Sequence, residues 1–321
     1  MHLGQFREAL VAGIALGGLY GLLPISIVLS YRISRTIAFV HAGIAAIAAL
    51  TYWLLAVNNP LLPKEVIVWS DGTSFGTRPQ IDPILALLIV CFAGLLAGGA
   101  YGAFVMSRRV SSASPLTLTI VSLGTMMVLL GTSGVLAVQP EVTPPSPFGS
   151  GSVRIANVNL TASKVATVLV VIVVSLLLAL WLQTTHAGLC VQALADDIEA
   201  GVWCGIRLQL IGTGVYAASG LLAAFAGVLI AVTAGPNPDD MVILFLRGLA
   251  LAVVGGMRSL PLALASAVLL GITETCLVVG VFGDVPGPME ELIISTMLLG
   301  GVLLVARLRR DRVFLLERQA L

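Results

Sequence analysis

The chain has 321 residues, of which 58% are hydrophobic and only 10% charged, with 34 glycines and a formal net charge of +1. A soluble domain carries about 25% charged residues, so this composition, with a mean hydropathy of +1.05, excludes a water-facing globule. The near-neutral charge and the short, scattered basic clusters exclude a nucleic-acid partner as well.

Crossing hydrocarbon takes about 20 mostly apolar residues, because a helix must pair all its backbone polar groups within the segment. Nine runs qualify or come close, at 9–30, 36–57, 83–106, 115–138, 164–183, 208–234, 241–257, 260–282 and 290–308. They predict an all-α integral membrane protein, a polytopic helical bundle of about nine transmembrane helices, with eight to ten as the range. The first run follows Arg7 and Glu8 and ends in no small-x-small site, so it reads as a retained span rather than a cleaved signal. The run 241–257 is the weakest, being short, interrupted by Arg247 and closed by Gly255-Gly256, which leaves a broken or re-entrant helix open. The stretches 58–82 and 139–163, rich in Pro, Gly, Ser and Thr, read as extracytoplasmic loops of one transmembrane domain covering 1–321.

Orientation follows from the Lys/Arg bias. With the carboxyl terminus inside, Arg32, Arg35, Arg108, Arg109, Arg207, Arg258 and the five arginines from Arg307 onward are cytoplasmic, against Arg7, Lys64, Arg78, Arg154 and Lys164 outside. The amino terminus is then outside and the segment 184–207 cytoplasmic. Gly13, Gly17 and Gly21, like Gly94, Gly98 and Gly102, recur at four-residue spacing and suit close helix packing.

The chain has no Gly-x-x-x-x-Gly-Lys-Ser/Thr loop, no His-Glu-x-x-His and no Gly-x-Ser-x-Gly. No catalytic residue, metal ligand or cofactor of its own is expected. Cys91, Cys190, Cys204 and Cys276 show no metal or redox spacing and read as small hydrophobes. Charge within hydrocarbon is expensive and marks a partner or a pathway. Three ionisable residues fall there: His41, Arg247 and Glu274. Arg247 and Glu274 come to similar depth in adjacent spans, which predicts an ion pair. His41, close to Phe39, reads as a satisfied packing histidine ahead of a proton relay.

In the cytoplasmic segment, Asp196-Asp197-Ile198-Glu199 reads as a helix start, with Asp196 as N-cap and Glu199 reaching back in a capping box. Gly205 supplies the stop. Ile198, Val202 and Trp203 then form an apolar side that wants either a partner's groove or the bilayer surface.

The stretch from Gly188 to Ile206, reading GLCVQALADDIEAGVWCGI, resembles the cytoplasmic loop of the branched-chain amino acid type of ABC importer permease. Ile37-Ala38-Phe39-Val40-His41-Ala42-Gly43, Ser114-Pro115-Leu116-Thr117, Phe225-Ala226-Gly227-Val228-Leu229, Leu246-Arg247-Gly248 with Val254-Gly255-Gly256, and Gly271-Ile272-Thr273-Glu274 resemble further motifs of that family, in order along the chain. The resemblance implies a non-catalytic permease subunit in the bacterial cytoplasmic (inner) membrane, paired with a second permease as a homo- or heterodimer. It also implies two ATPase subunits that bind the ATP, and an extracytoplasmic binding protein that delivers the solute. The loop would be the coupling helix, with Asp196, Asp197, Ile198, Glu199, Ala200, Val202, Trp203, Gly205 and Ile206 at the ATPase contact. The sequence departs from the family at Leu189 and Gln192, where arginines are usual, and at Ala38, Val40, Ala42 and Arg258. Low pathway charge suits branched-chain or related amino acids, amides, urea or short carboxylates. Two rival readings are an ion-coupled secondary transporter using Arg247 and Glu274 and, more remotely, a membrane enzyme, for which the three dispersed histidines are poor ligands.

Overall fold

The computed structural model of the chain describes residues 3–57, 65–68, 74–77, 81–107, 114–136, 143–149, 152–155, 158–257, 259–277, 292–303 and 307. Helices occupy all nine predicted places: α1 (Leu3–Ser34), α2 (Val40–Ala56), α3 (Pro83–Val105), α4 (Pro115–Leu136), α5 (Ala162–Thr184), α8 (Leu208–Ala234), α9 (Pro238–Val254), α10 (Leu260–Leu277) and α11 (Leu292–Leu303). Two short helices, α6 (His186–Asp196) and α7 (Ile198–Trp203), lie between α5 and α8. Among the described residues, six helices, α1, α3, α4, α5, α8 and α10, are long and apolar enough to cross a membrane. Val40–Ala56 and the described part of α11 are shorter apolar helices, so the structure carries a helical membrane bundle without fixing nine spans. The run 241–257 is carried by one unbroken 17-residue helix, Pro238–Val254, and the turn from Gly255 to Met257 that closes it. The tail of the run 260–282 beyond Leu277 lies outside the described residues.

Each of the two long stretches read as loops contains an antiparallel hairpin, β1 (Glu65–Val68) with β2 (Ser74–Thr77) and β3 (Ser152–Ile155) with β4 (Val158–Thr161). Turn-rich composition masked these four-residue strands, which are too short to show alternation.

The core is built around α1, α2 and α8, whose apolar side chains are mostly buried. Closest packing comes where glycine lets backbones meet. Gly13 and Gly17 of α1 face α10 so tightly that a Cβ would stand 2.6 Å from Ile272 Cα and 2.5 Å from Val268 Cα. Gly94, Gly98 and Gly102 of α3 do the same against α8, where a Cβ on Gly98 would stand 2.8 Å from Gly220 Cα. By contrast α3, α4 and α5 expose large apolar groups such as Leu88, Phe92, Met127, Val135 and Leu177, which are stable facing lipid or another apolar surface.

Expectation and structure differ at α2. The predicted span starts at residue 36, yet the helix starts at Val40. Phe39 is bonded to Ser122, seven residues into α4, and His41 to Ser219, eleven residues into α8. At ~1.5 Å per residue, α2 therefore begins roughly 10 to 16 Å inside the bundle; Arg35 still bonds back to the Tyr31 carbonyl, but the N–H groups of Thr36 and Phe39 turn to serine hydroxyls instead of a helix ladder. Irregular backbone is tolerated at such depth only where protein buries and satisfies it.

Candidate functional site

Residues 35–39 meet that requirement through side chains of neighbouring helices. Ser122 shares its hydroxyl proton between the Thr119 and Ile37 carbonyls (2.8 and 3.0 Å) and accepts the Phe39 N–H at 3.3 Å. His41 is fully buried. Its Nδ1 donates to the Ala38 carbonyl at 2.8 Å, which leaves Nε2 as acceptor at 2.9 Å for the Ser219 hydroxyl, whose proton is shared with the Tyr216 carbonyl at 3.0 Å. Its ring lies parallel to that of Tyr216, with centroids 6.3 Å apart, and Tyr216 meets Tyr101 edge-on at 5.7 Å. With both nitrogens occupied by neighbours, this histidine ties α2 to α8. Phe39 faces Phe245 of α9, ring to ring at 5.5 Å. The break thus touches α4, α8 and α9.

A second polar centre lies on α1, α9 and α10. Arg247 Nη1 stands 3.5 Å from Glu274 Oε1 and donates to Tyr20 Oη at 2.9 Å, while Tyr20 Oη donates to Glu274 Oε1 at 3.2 Å. The guanidinium carbon also lies 5.7 Å from the Tyr20 ring centroid, within cation–π range. Arg247 and Glu274 are 8% and 4% exposed, so each charge is shielded from solvent and opposed by the other. Just past Arg247, Gly248 sits against Leu23 and Pro24 of α1. Pro24 removes a helical N–H and leaves the Tyr20 carbonyl without its usual partner in the helix ladder.

The third feature is the segment between α5 and α8. The cap of α7 is Asp197, not Asp196: its carboxylate accepts the N–H groups of Glu199 and Ala200 at 2.9 and 3.1 Å. Asp196 instead ends α6, because Thr185 caps an additional helix that begins at His186. Glu199 contributes its amide to the cap. Gly205, at φ +86°, closes α7 with Ile206 N–H bonded to the Gly201 carbonyl at 3.2 Å. Gly201 is buried against Leu194 of α6, whereas Glu199, Ala200 and Val202 are exposed, Trp203 is 89% exposed, and Ile198 and Ile206 are half-buried. Trp203 and its neighbour Val202 together leave an apolar end of α7 open.

Sequence reasoning missed Tyr20, Ser122, Ser219, Tyr101 and Tyr216. A hydroxyl inside a long apolar run was the available signal. Among the described residues no three His, Cys, Asp or Glu side chains converge as a metal site would require.

The family described as "Branched-chain amino acid transport system / permease component" matches residues 9–306. The high-affinity branched-chain amino acid transport system permease protein LivH of Escherichia coli K12 is 24% identical over 278 residues, 84% of this chain and 85% of LivH. BraD of Pseudomonas aeruginosa, a permease protein of the same description, is 24% identical over 294 residues, 87% and 88% of the two chains. The galactose/methyl galactoside import permease protein MglC of E. coli K12 is 29% identical over 223 residues, 68% of this chain and 60% of MglC. No solved structure matches.

Proposed function

Since the chain belongs to the branched-chain amino acid transport system permease family, we propose that it is the membrane-spanning permease subunit of an ATP-binding-cassette importer. Its solute is a branched-chain or related amino acid, an amide or urea, handed over by an extracytoplasmic binding protein. Two ATPase subunits hydrolyse the ATP, and a second permease, identical or related, completes the pathway. The complex sits in a bacterial inner membrane with the carboxyl terminus of this chain in the cytoplasm and its amino terminus outside.

The observation that carries the reading is the exposed end of α7. A capped helix presenting Glu199, Val202 and Trp203 from the end of the bundle where α1 stops suits insertion of an apolar anchor into a partner's groove. Closure of the ATPase pair would push this helix and shift the permease pair between outward and inward states, a population shift driven by differential binding. Mutual pairing of Arg247 and Glu274 supports a structural use of those charges over ion coupling.

The test is affinity purification of the tagged protein from its native host in mild detergent, beside a variant carrying Glu199→Arg and Trp203→Ala. Recovery of an ATPase with the parent, and its loss at equal membrane level in the variant, is expected. Absence of an ATPase under conditions that preserve a control importer would overturn the reading and turn attention to uptake driven by ion gradients.

A further inference from the structure

The end of α1 is fastened to the segment that carries α7. Arg35, the first residue after α1, donates from Nη2 to the carbonyl of Ala195, among the last of α6. The Asp196 carboxylate lies close enough to Arg32 for their charges to interact. On the far side of α6, Gln192 Nε2 donates to the Leu182 carbonyl of α5, and Gly188 lies against the backbone of Trp181 and Leu182. A single residue, Asp197, separates α6 from α7, and Gly201 packs on Leu194. The end of α5, α6 and α7 thus form one small body, and Arg35 grips it at the joint between the two short helices.

Arg35 is also the root of the non-helical stretch 35–39. Its backbone lies at φ +54°, a conformation costly for a residue with a Cβ and kept where the surroundings hold it. Two residues on, Ile37 accepts from Ser122, and four residues on, Phe39 meets Phe245. Arg35, Ile37 and Phe39 are each held by a contact, so this five-residue stretch has little slack in which to absorb a displacement of Arg35, and the movement is passed on to Phe39.

We propose that Arg35 is a positioning residue that couples movement of the α6–α7 body to the break between α1 and α2, moving Phe39 and its contact with α9 when the ATPases close. This rests on the reading of α7 as the ATPase contact.

The experiment uses the importer complex recovered from the native host and reconstituted in liposomes. Cys91, Cys190, Cys204 and Cys276 are replaced by Ser, and Ile37→Cys serves as reporter. Labelling of that thiol by N-ethylmaleimide is timed without nucleotide and after trapping with ATP and vanadate. The expected result is a difference between the two rates when Arg35 is present, its loss with Arg35→Ala while the same amount of ATPase is recovered, and its partial return with Arg35→Lys, which keeps charge and reach but one fewer fork. A full rate difference in Arg35→Ala would overturn the proposal. So would equal rates with Arg35 in place, or loss of the ATPase from Arg35→Ala, which would make Arg35 a support of the docking surface only. Failure of the parent to recover an ATPase would sink the importer reading itself, a result distinct from all of these.

Discussion

Removing either charge from the Tyr20, Arg247 and Glu274 centre leaves the other buried without its opposite charge. Losing one partner of a buried pair costs about 3–5 kcal/mol, whereas replacing both by apolar groups is close to neutral or stabilising. Both side chains here are shielded, at 10% and 5% exposure, and 3.5 Å apart, so the full range applies. Glu274→Leu and Arg247→Leu should each destabilise by about 3–5 kcal/mol, and the double variant should recover most of that loss. Tyr20→Phe keeps the charge pair and loses the bridging hydroxyl, at about 1.5–3 kcal/mol for bonds to charged groups. The assay is SDS titration of the purified protein in mild detergent, followed by tryptophan fluorescence from its four tryptophans. Two single variants as stable as the parent, or a double variant whose loss equals the sum of the singles, would refute the idea that these charges answer one another.

Three further outcomes follow from the packing and the caps. Gly98→Leu and Gly17→Leu should abolish a folded, monodisperse product in fluorescence-detected size exclusion, while Gly131→Leu, with nothing within 4 Å of its would-be Cβ, should leave the chain's own stability unchanged. Asp197→Ala removes both capping bonds of α7 and should weaken that helix by about 1 kcal/mol, read as faster hydrogen exchange at residues 198–203; Asp196→Ala should leave that exchange unchanged. Ser122→Ala strips the Phe39 N–H and Ile37 carbonyl of their partner, and should cost about 1–3 kcal/mol for buried groups left unpaired, measured by the same SDS titration.

How far the sequence shows this architecture depends on which physical signal each part carries. Long apolar runs place α1, α3, α4, α5 and α8 well, and four-residue glycine spacing identifies two tight helix seams, because both signals are local. The pairing of Arg247 with Glu274 is readable because charge in hydrocarbon demands an answer within reach. Tyr20 gives only the weak signal of a hydroxyl in an apolar run, which does not tell it from a core residue until Arg247 and Glu274 are brought beside it. Residues 36–39 look helical because they are apolar; only the hydroxyl of Ser122 and the ring of His41, distant in sequence, make a non-helical course affordable. The cap shifts from Asp196 to Asp197 because Thr185 starts a separate helix, a competition between neighbouring starts that a single capping pattern does not express.

The two glycine seams, α1 on α10 and α3 on α8, have a mechanical meaning. Backbones in contact at successive notches cannot slide past each other by a residue without driving a side chain into main chain, so each pair behaves as one stiff strut. Deformation is then left to the joints, and left-handed backbone marks them: Arg35 before α2, Gly235 before α9, and Gly256 with Met257 after it. Those joints flank α2 and α9, the two helices whose aromatic rings meet at Phe39 and Phe245.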